Sequence, residues 1–236
     1  AGGRINTDAI DNSAGVDMSD HEVNLKIGLQ SAVESGALAP AARNALLEEL
    51  TDDVAARVLA HNRAQSRVLG LDHARSRTRL EDFRELMGEL ERSAGLDRAL
   101  EALPDRDALR ARRGTFLGLT RPELAVLMAY AKIHIQRELL ASAVPDDPLL
   151  APFLAGYFPA PLAARFPEAV RAHPLRREII ATTVANAVVD TLGATFVYRV
   201  TRDTGATVGE VVRAWAVAWA VAGGAELVAA VAASAR

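Results

Sequence analysis

GGRINTDAIDNSAGVDMSDHEVNLKIGL, running from Gly2 to Leu29, is the densest polar stretch of the chain, and the reading of the fold turns on it. Its centre, N-S-A-G-V-D-M-S, sets Asn12 and Ser19 seven residues apart with Gly15 between them, as a turn leading into a helix would. Ser19-Asp20-His21-Glu22 has the form of a capping box, in which the Ser19 hydroxyl accepts from the Glu22 amide and the Glu22 carboxylate reaches back to the Ser19 amide. The spacing therefore predicts a helix from Ser19 to about Ser35, with Val23, Ile27 and Val33 on one face and Gly36 and Pro40 as the stop.

At a helix start, a serine can accept from its own helix while donating its proton to a carboxylate. An asparagine just before it can donate and accept at once, which suits a carboxamide or ribose edge. The plainer reading of both residues is a turn asparagine and a cap serine, as ordinary loops use them. Asp20 and Glu22 in the first turn of such a helix would oppose an anion there.

Further along, the chain reads as helix after helix. Thr51 with Asp52 and Asp53 opens a run through Val54, Val58 and Leu59 that continues in some form to about Gly95. In it Leu80, Phe83, Leu86, Met87 and Leu90 recur every three or four residues as an amphipathic stripe, and the whole is read as a long helical hairpin or arm. The charges from Arg75 to Arg92 form its solvated face. Thr120-Arg121-Pro122-Glu123 is a second capping box, ahead of a helix buried through Leu124, Leu127, Met128, Ala131 and Ile135. Prolines 145, 148, 152, 159, 161 and 167 mark an irregular stretch with short helical turns, anchored to the core by Tyr157 and Phe158. A helix follows His173-Pro174, and the adjacent Arg176 and Arg177 at its start oppose the dipole, which calls for an acidic partner or, alternatively, a phosphate. Thr207-Val208-Gly209-Glu210 is a third capping box, before a helix carrying Trp215 and Trp219 on one stripe and breaking at Gly223-Gly224. No alternating strand pattern is legible after position 40, so a mainly α fold of about eight to ten helices is expected, without a fixed-period repeat.

Composition bounds the function. The chain has 236 residues, half of them hydrophobic, and a net charge of −3, which suits a globular piece and gives no reason to expect nucleic acid. Of the 27 basic residues only Lys26 and Lys132 are lysines. With no cysteine there is no disulfide, thiolate catalyst or Cys-based zinc site, which permits a cytoplasmic location. His21, His61, His73, His134 and His173 show no H-x-x-x-H pairing, so they are read as structural and no metal is expected. No apolar block opens the chain, and the apolar run from Ala214 to Ala225 is too short for a membrane span, which needs ~20 residues; no membrane partner is expected.

The segment NTDAIDNSAGVDMSDHEVNLKI closely resembles the large class of bacterial NAD-dependent glutamate dehydrogenases. So do LLEELTDDVA near position 50, LDRALEALP near 100, GLTRPELAVLMAYAK from 118, and YFP then HPLRREII after 157, so the resemblance spans essentially the whole chain. It implies oxidative deamination of L-glutamate to 2-oxoglutarate and ammonia with NAD as cofactor. In that family the motif N-A-G-G-V-x-x-S closes the cofactor domain, its Asn contacting the nicotinamide end and its Ser a substrate carboxylate. Those roles fall on Asn12 as cofactor-binding and Ser19 as substrate-binding, with departures at Ser13 and Ala14.

The resemblance also implies that residues 1–35 end a Rossmann-like dinucleotide-binding domain and residues 36–236 form a helical C-terminal domain. No G-x-G-x-x-G is present, and the family's catalytic Lys and Asp lie upstream of the equivalent of Gly2, so no catalytic residue is assigned here. Beginning inside a motif suggests a piece of a larger enzyme, inactive alone, whose partners are the remaining regions of the same chain and further copies of it in a homo-oligomer. A different reading stays open: an independent all-α interaction module in which Asn12 and Ser19 are only turn and cap.

Overall fold

The computed structural model describes residues 5–234, with side chains described to Val231; Gly2, Gly3 and Arg4 of the stretch quoted above lie outside it. The described residues form α-helices joined by turns, with no strand among them. In chain order the helices are α1 (Asp8–Asp11), α2 (Ser13–Glu34), α3 (Arg43–Glu49), α4 (Thr51–Thr78), α5 (Leu80–Ser93), α6 (Arg106–Thr115), α7 (Arg121–Leu140), α8 (Ala151–Tyr157), α9 (Ala160–Arg165), α10 (Pro167–Arg171), α11 (Arg176–Leu192), α12 (Phe196–Thr204), α13 (Val208–Val221) and α14 (Gly224–Ser234). They outnumber the expected eight to ten because the short helical turns of the proline-rich stretch form three helices, α8 to α10, and Asp8–Asp11 forms another. A proline in the first turn costs no helical hydrogen bond, so Pro152, Pro161 and Pro167 sit in the first turns of α8, α9 and α10.

α7 and α11 form the central pair, and α4 packs on both. The stripe foreseen on α7 is the buried one: Leu124, Leu127, Met128, Ala131 and Ile135 meet Ile180, Val184 and Val188 of α11 in one continuous core. Each such aliphatic side chain contributes about 1.5–3 kcal/mol on burial. Thr120 caps α7 with a complete box, its hydroxyl accepting from Glu123 N–H and the Glu123 carboxylate accepting from Thr120 N–H. Glu123 is also gripped by both terminal nitrogens of Arg112, at 2.7 and 2.8 Å, which ties α6 to the start of α7. Burial pushes the Glu123 carboxyl up, but Arg112 and Thr120 outweigh it and hold the group below its ordinary value.

The run after Thr51 is two helices joined at Arg79 and both packed on α7, not an arm. All five residues of the Leu80–Leu90 stripe are buried. Arg84 pairs with Glu81, and Arg92 with Glu89, across the solvated face. Asp72 is the exception in this charged region, only 2 % exposed. Its Oδ2 accepts from Ala194 N–H at 2.8 Å and its Oδ1 from Arg75 at 3.1 Å, while Arg75 also donates to the Leu192 carbonyl. The corner between α11 and α12 is thereby fastened to α4.

The acidic partner of Arg176 and Arg177 is Asp146, on the turn after α7. Arg177 also donates to the carbonyls of Leu140 and Ser142 at the end of α7, so the pair closes α7 against α11. Thr207 caps α13 with a full box, and Trp215 and Trp219 lie 5.4 Å apart between ring centres on that helix, which ends at the expected glycines. No single described helix is long and apolar enough to cross a membrane; α11 with α12, and α13 with α14, pass together only as pairs bent by 91° and 72°.

Candidate functional site

α2 does not begin at Ser19. It begins at Ser13, with Asn12 as the junction between α1 and α2, and Gly15 lies inside the helix rather than in a turn. The expected capping box is not formed, because the Ser19 hydroxyl donates to the carbonyl of Val16, one turn back, at 2.8 Å. Asp20 and Glu22 are consequently mid-helix, and no acidic residue occupies the first turn of α2. The buried face also differs from the one expected. His21, Leu25, Gly28, Leu29 and Ala32 face the core, whereas Val23 is 53 % exposed.

The longer helix changes the relation between Asn12 and Ser19. Seven residues are nearly two full helical turns, so the two lie on one side of α2, about 10 Å apart along the axis. Both are exposed, and exposed Val16 stands between them. The Asn12 side chain caps neither flanking helix, which leaves its carboxamide able to donate and accept outward. Ser19 has its proton engaged by Val16 and offers lone pairs; donating to a carboxylate requires its hydroxyl to rotate off that carbonyl.

Asn12 stands on a braced corner. Asn62 of α4 donates to the Ile10 carbonyl at 3.2 Å and to the Ser13 hydroxyl at 3.0 Å. The departure at Ser13 therefore supplies an acceptor that fixes the start of α2. Asn6 donates from its backbone and its carboxamide to the Asp11 carboxylate, and Arg121 at the front of α7 donates to Asn6 Oδ1 at 2.9 Å. A carboxamide held on such a corner is positioned for recognition.

On the other side of α2, turned toward α4, lies a cluster that the sequence did not reveal. Asp17 accepts from His61 Nδ1 at 2.8 Å and lies 3.7 Å from Nε2 of His21, which is stacked against Tyr157 with ring centres 4.3 Å apart. Burial lowers the pKa of His21 to about 4 against the pull of Asp17, so the imidazole is neutral near pH 7. Burial also pushes Tyr157 up to about 12, while Asn24 donates to its oxygen at 2.9 Å. Only the D-x-x-x-H spacing of Asp17 and His21 was visible in the sequence; His61 arrives from another helix. Nearby, Lys132 of α7 pairs with Asp190 of α11 at 2.7 Å, both largely buried. Burial drives the Asp190 carboxyl up, opposed by Lys132. A cleft of about 530 Å³, lined by residues including His134, Glu138, Tyr198 and Arg202, shares no residue with either face of α2.

A family model described as glutamate dehydrogenase, C-terminal, matches residues 117–235, half of the chain. The chain belongs to that glutamate dehydrogenase family. A second model, bacterial NAD-glutamate dehydrogenase, catalytic domain, matches residues 1–72, the stretch that carries Asn12 and Ser19. NAD-specific glutamate dehydrogenases of Pseudomonas aeruginosa, Mycobacterium tuberculosis and Halomonas elongata are 46 %, 44 % and 43 % identical over 92 %, 94 % and 92 % of this chain. The chain spans only 13–14 % of the length of those relatives.

Proposed function

We propose that this chain works as part of an NAD-dependent glutamate dehydrogenase, in which it forms one wall of the catalytic cleft and the helical scaffold behind it. The observation that carries this reading is the coincidence of the catalytic-domain match with an exposed, braced helix face bearing Asn12 and Ser19. The whole enzyme would convert L-glutamate to 2-oxoglutarate and ammonia in the cytoplasm, as a step of glutamate catabolism.

NAD, when bound, accepts the hydride from the substrate α-carbon. The outward carboxamide of Asn12 fits its nicotinamide end, with a donor and an acceptor for the amide edge. Residues 1–35 then close the Rossmann-like cofactor domain, and the phosphates and ribose are held by regions outside this chain, where the catalytic Lys and Asp also lie. Ser19, after rotating off Val16, donates to a substrate carboxylate. Positioning of this kind is worth several powers of ten in rate when the rest of the constellation is assembled.

Exposed Val16 and Val23 on α2 support this reading, since apolar residues beside a polar pair suit a surface covered by another region of the same enzyme. Phe116 and Leu117, which follow α6 at 70 % and 64 % exposure, would likewise meet another part of the enzyme or a second copy. The test is glutamate-dependent NAD reduction by the 236-residue chain alone and by a full-length enzyme containing it. The proposal requires the second to turn over and the first to be inert. Turnover by the isolated chain would overturn it.

A further inference from the structure

We infer that Asp17, His21 and His61 form a binding site for one divalent transition-metal ion, with zinc as its natural occupant. The three side chains each present a ligand atom, and these atoms all lie within 4.8 Å of one another. A tetrahedral zinc ion with N and O ligands sets those atoms about 3.3 Å apart. The carboxylate bridges the two imidazoles, Oδ2 lying 2.8 Å from His61 Nδ1 and Oδ1 3.7 Å from His21 Nε2, so closing the site on one oxygen takes a side-chain rotation.

The independent observation is the state of His21. It is 1 % exposed and neither ring nitrogen has a hydrogen-bond partner, although Nε2 faces the Asp17 carboxylate. Buried polar nitrogens are normally satisfied, and one left open toward a carboxylate and a second imidazole is what a ligand awaiting its ion looks like.

The chemistry of the donor set selects the ion. Two imidazoles and one carboxylate suit zinc and its transition-metal neighbours, whereas magnesium and calcium prefer all-oxygen shells. His61 and Asp17 have side chains 45 % and 26 % exposed, which gives an entry path and room for water as the fourth ligand. The positive charge of Lys132 is balanced by Asp190, so it does not repel a cation. The site lies on the side of α2 away from Asn12 and Ser19 and is independent of the function proposed above. It would pin α2 to α4 behind the proposed cleft wall.

The experiment uses the full 236-residue chain, freed of metal with a chelator, with folding checked by circular dichroism. It is titrated with zinc by calorimetry and with cobalt by visible absorption. The inference predicts one equivalent bound, with a tetrahedral cobalt spectrum. It also predicts that His61→Ala, at a partly exposed position that folding tolerates, and Asp17→Asn each weaken binding by ~100-fold or more, the scale on which even outer-shell losses register. His134→Ala, outside the cluster, leaves binding unchanged. Absence of a stoichiometric site, or binding insensitive to His61→Ala or to Asp17→Asn, would overturn the inference and leave the cluster as an Asp17–His61 hydrogen bond with His21 packed against Tyr157.

Discussion

Replacing Gly193 with alanine tests how the α11–α12 corner is held. Gly193 has φ +93° and ψ 165°, a backbone region that L-residues rarely enter. A Cβ built there would stand 2.3 Å from Asp72 Oδ1 and 2.7 Å from Arg75 Nη1. The substitution therefore carries backbone strain of about 1–3 kcal/mol. It also displaces Asp72, which leaves the buried Ala194 amide without its acceptor at about 1–3 kcal/mol more. Together these give a loss of about 4 kcal/mol, or roughly 10 °C in Tm for a chain of this size.

The decisive form of the test is a cycle with Asp72→Ala. With the carboxylate gone, the new Cβ has lost its nearest obstacle, so the second substitution costs little beyond the backbone strain. Denaturant unfolding followed by circular dichroism should show the double variant more stable than the sum of the singles by about 1–2 kcal/mol. Strict additivity, or a Gly193→Ala loss below about 0.5 kcal/mol, would refute the reasoning.

Other substitutions probe the joints between helices. Glu123 is held below its ordinary carboxyl value near 4.5, so its contribution is complete above that value and fades as pH falls through it toward the lower folded one; Glu123→Gln should flatten the acid limb of a stability-versus-pH curve measured by denaturant midpoint. Arg177→Ala should lower stability by about 1–2 kcal/mol, since the Leu140 and Ser142 carbonyls lose their donor and Asp146 keeps only Arg176, and should leave NAD affinity of the full-length enzyme unchanged by fluorescence titration. Lost affinity with unchanged melting would instead mark Arg177 as a phosphate ligand. Phe83→Ala, at 1 % exposure on the buried face of α5, should cost about 3–5 kcal/mol in the same unfolding assay.

What was legible in the sequence follows from how local each signal is. The capping boxes at Thr120 and Thr207 are closed by residues three apart, and both form as read. The stripes on α5 and α7 depend only on helical period, and they are the buried faces. Ser19 shows the limit. The residues before it are themselves able to be helical, so α2 extends back to Ser13, and a serine inside a helix turns its hydroxyl to the preceding turn. The face through Val23 is not the buried one, because the side of α2 that meets α4 and α10 runs through His21, Leu25, Leu29 and Ala32. His61 reaches the Asp17–His21 pair from another helix, and Lys132 and Asp190 meet from α7 and α11, so local spacing carries no information about either meeting.

The central claim is that the Asn12–Ser19 face of α2 belongs to the catalytic cleft. The most direct measurement is the kinetics of glutamate-dependent NAD reduction by a full-length enzyme carrying this chain, wild type against Asn12→Ala and Ser19→Ala, with folding verified for each. The account predicts weakened NAD affinity and lower kcat for Asn12→Ala, and a raised KM for glutamate with Ser19→Ala, at unaltered melting, because both side chains are exposed and neither caps a helix. Wild-type kinetics in both folded variants would contradict it and leave the chain as a helical support with no part in the chemistry.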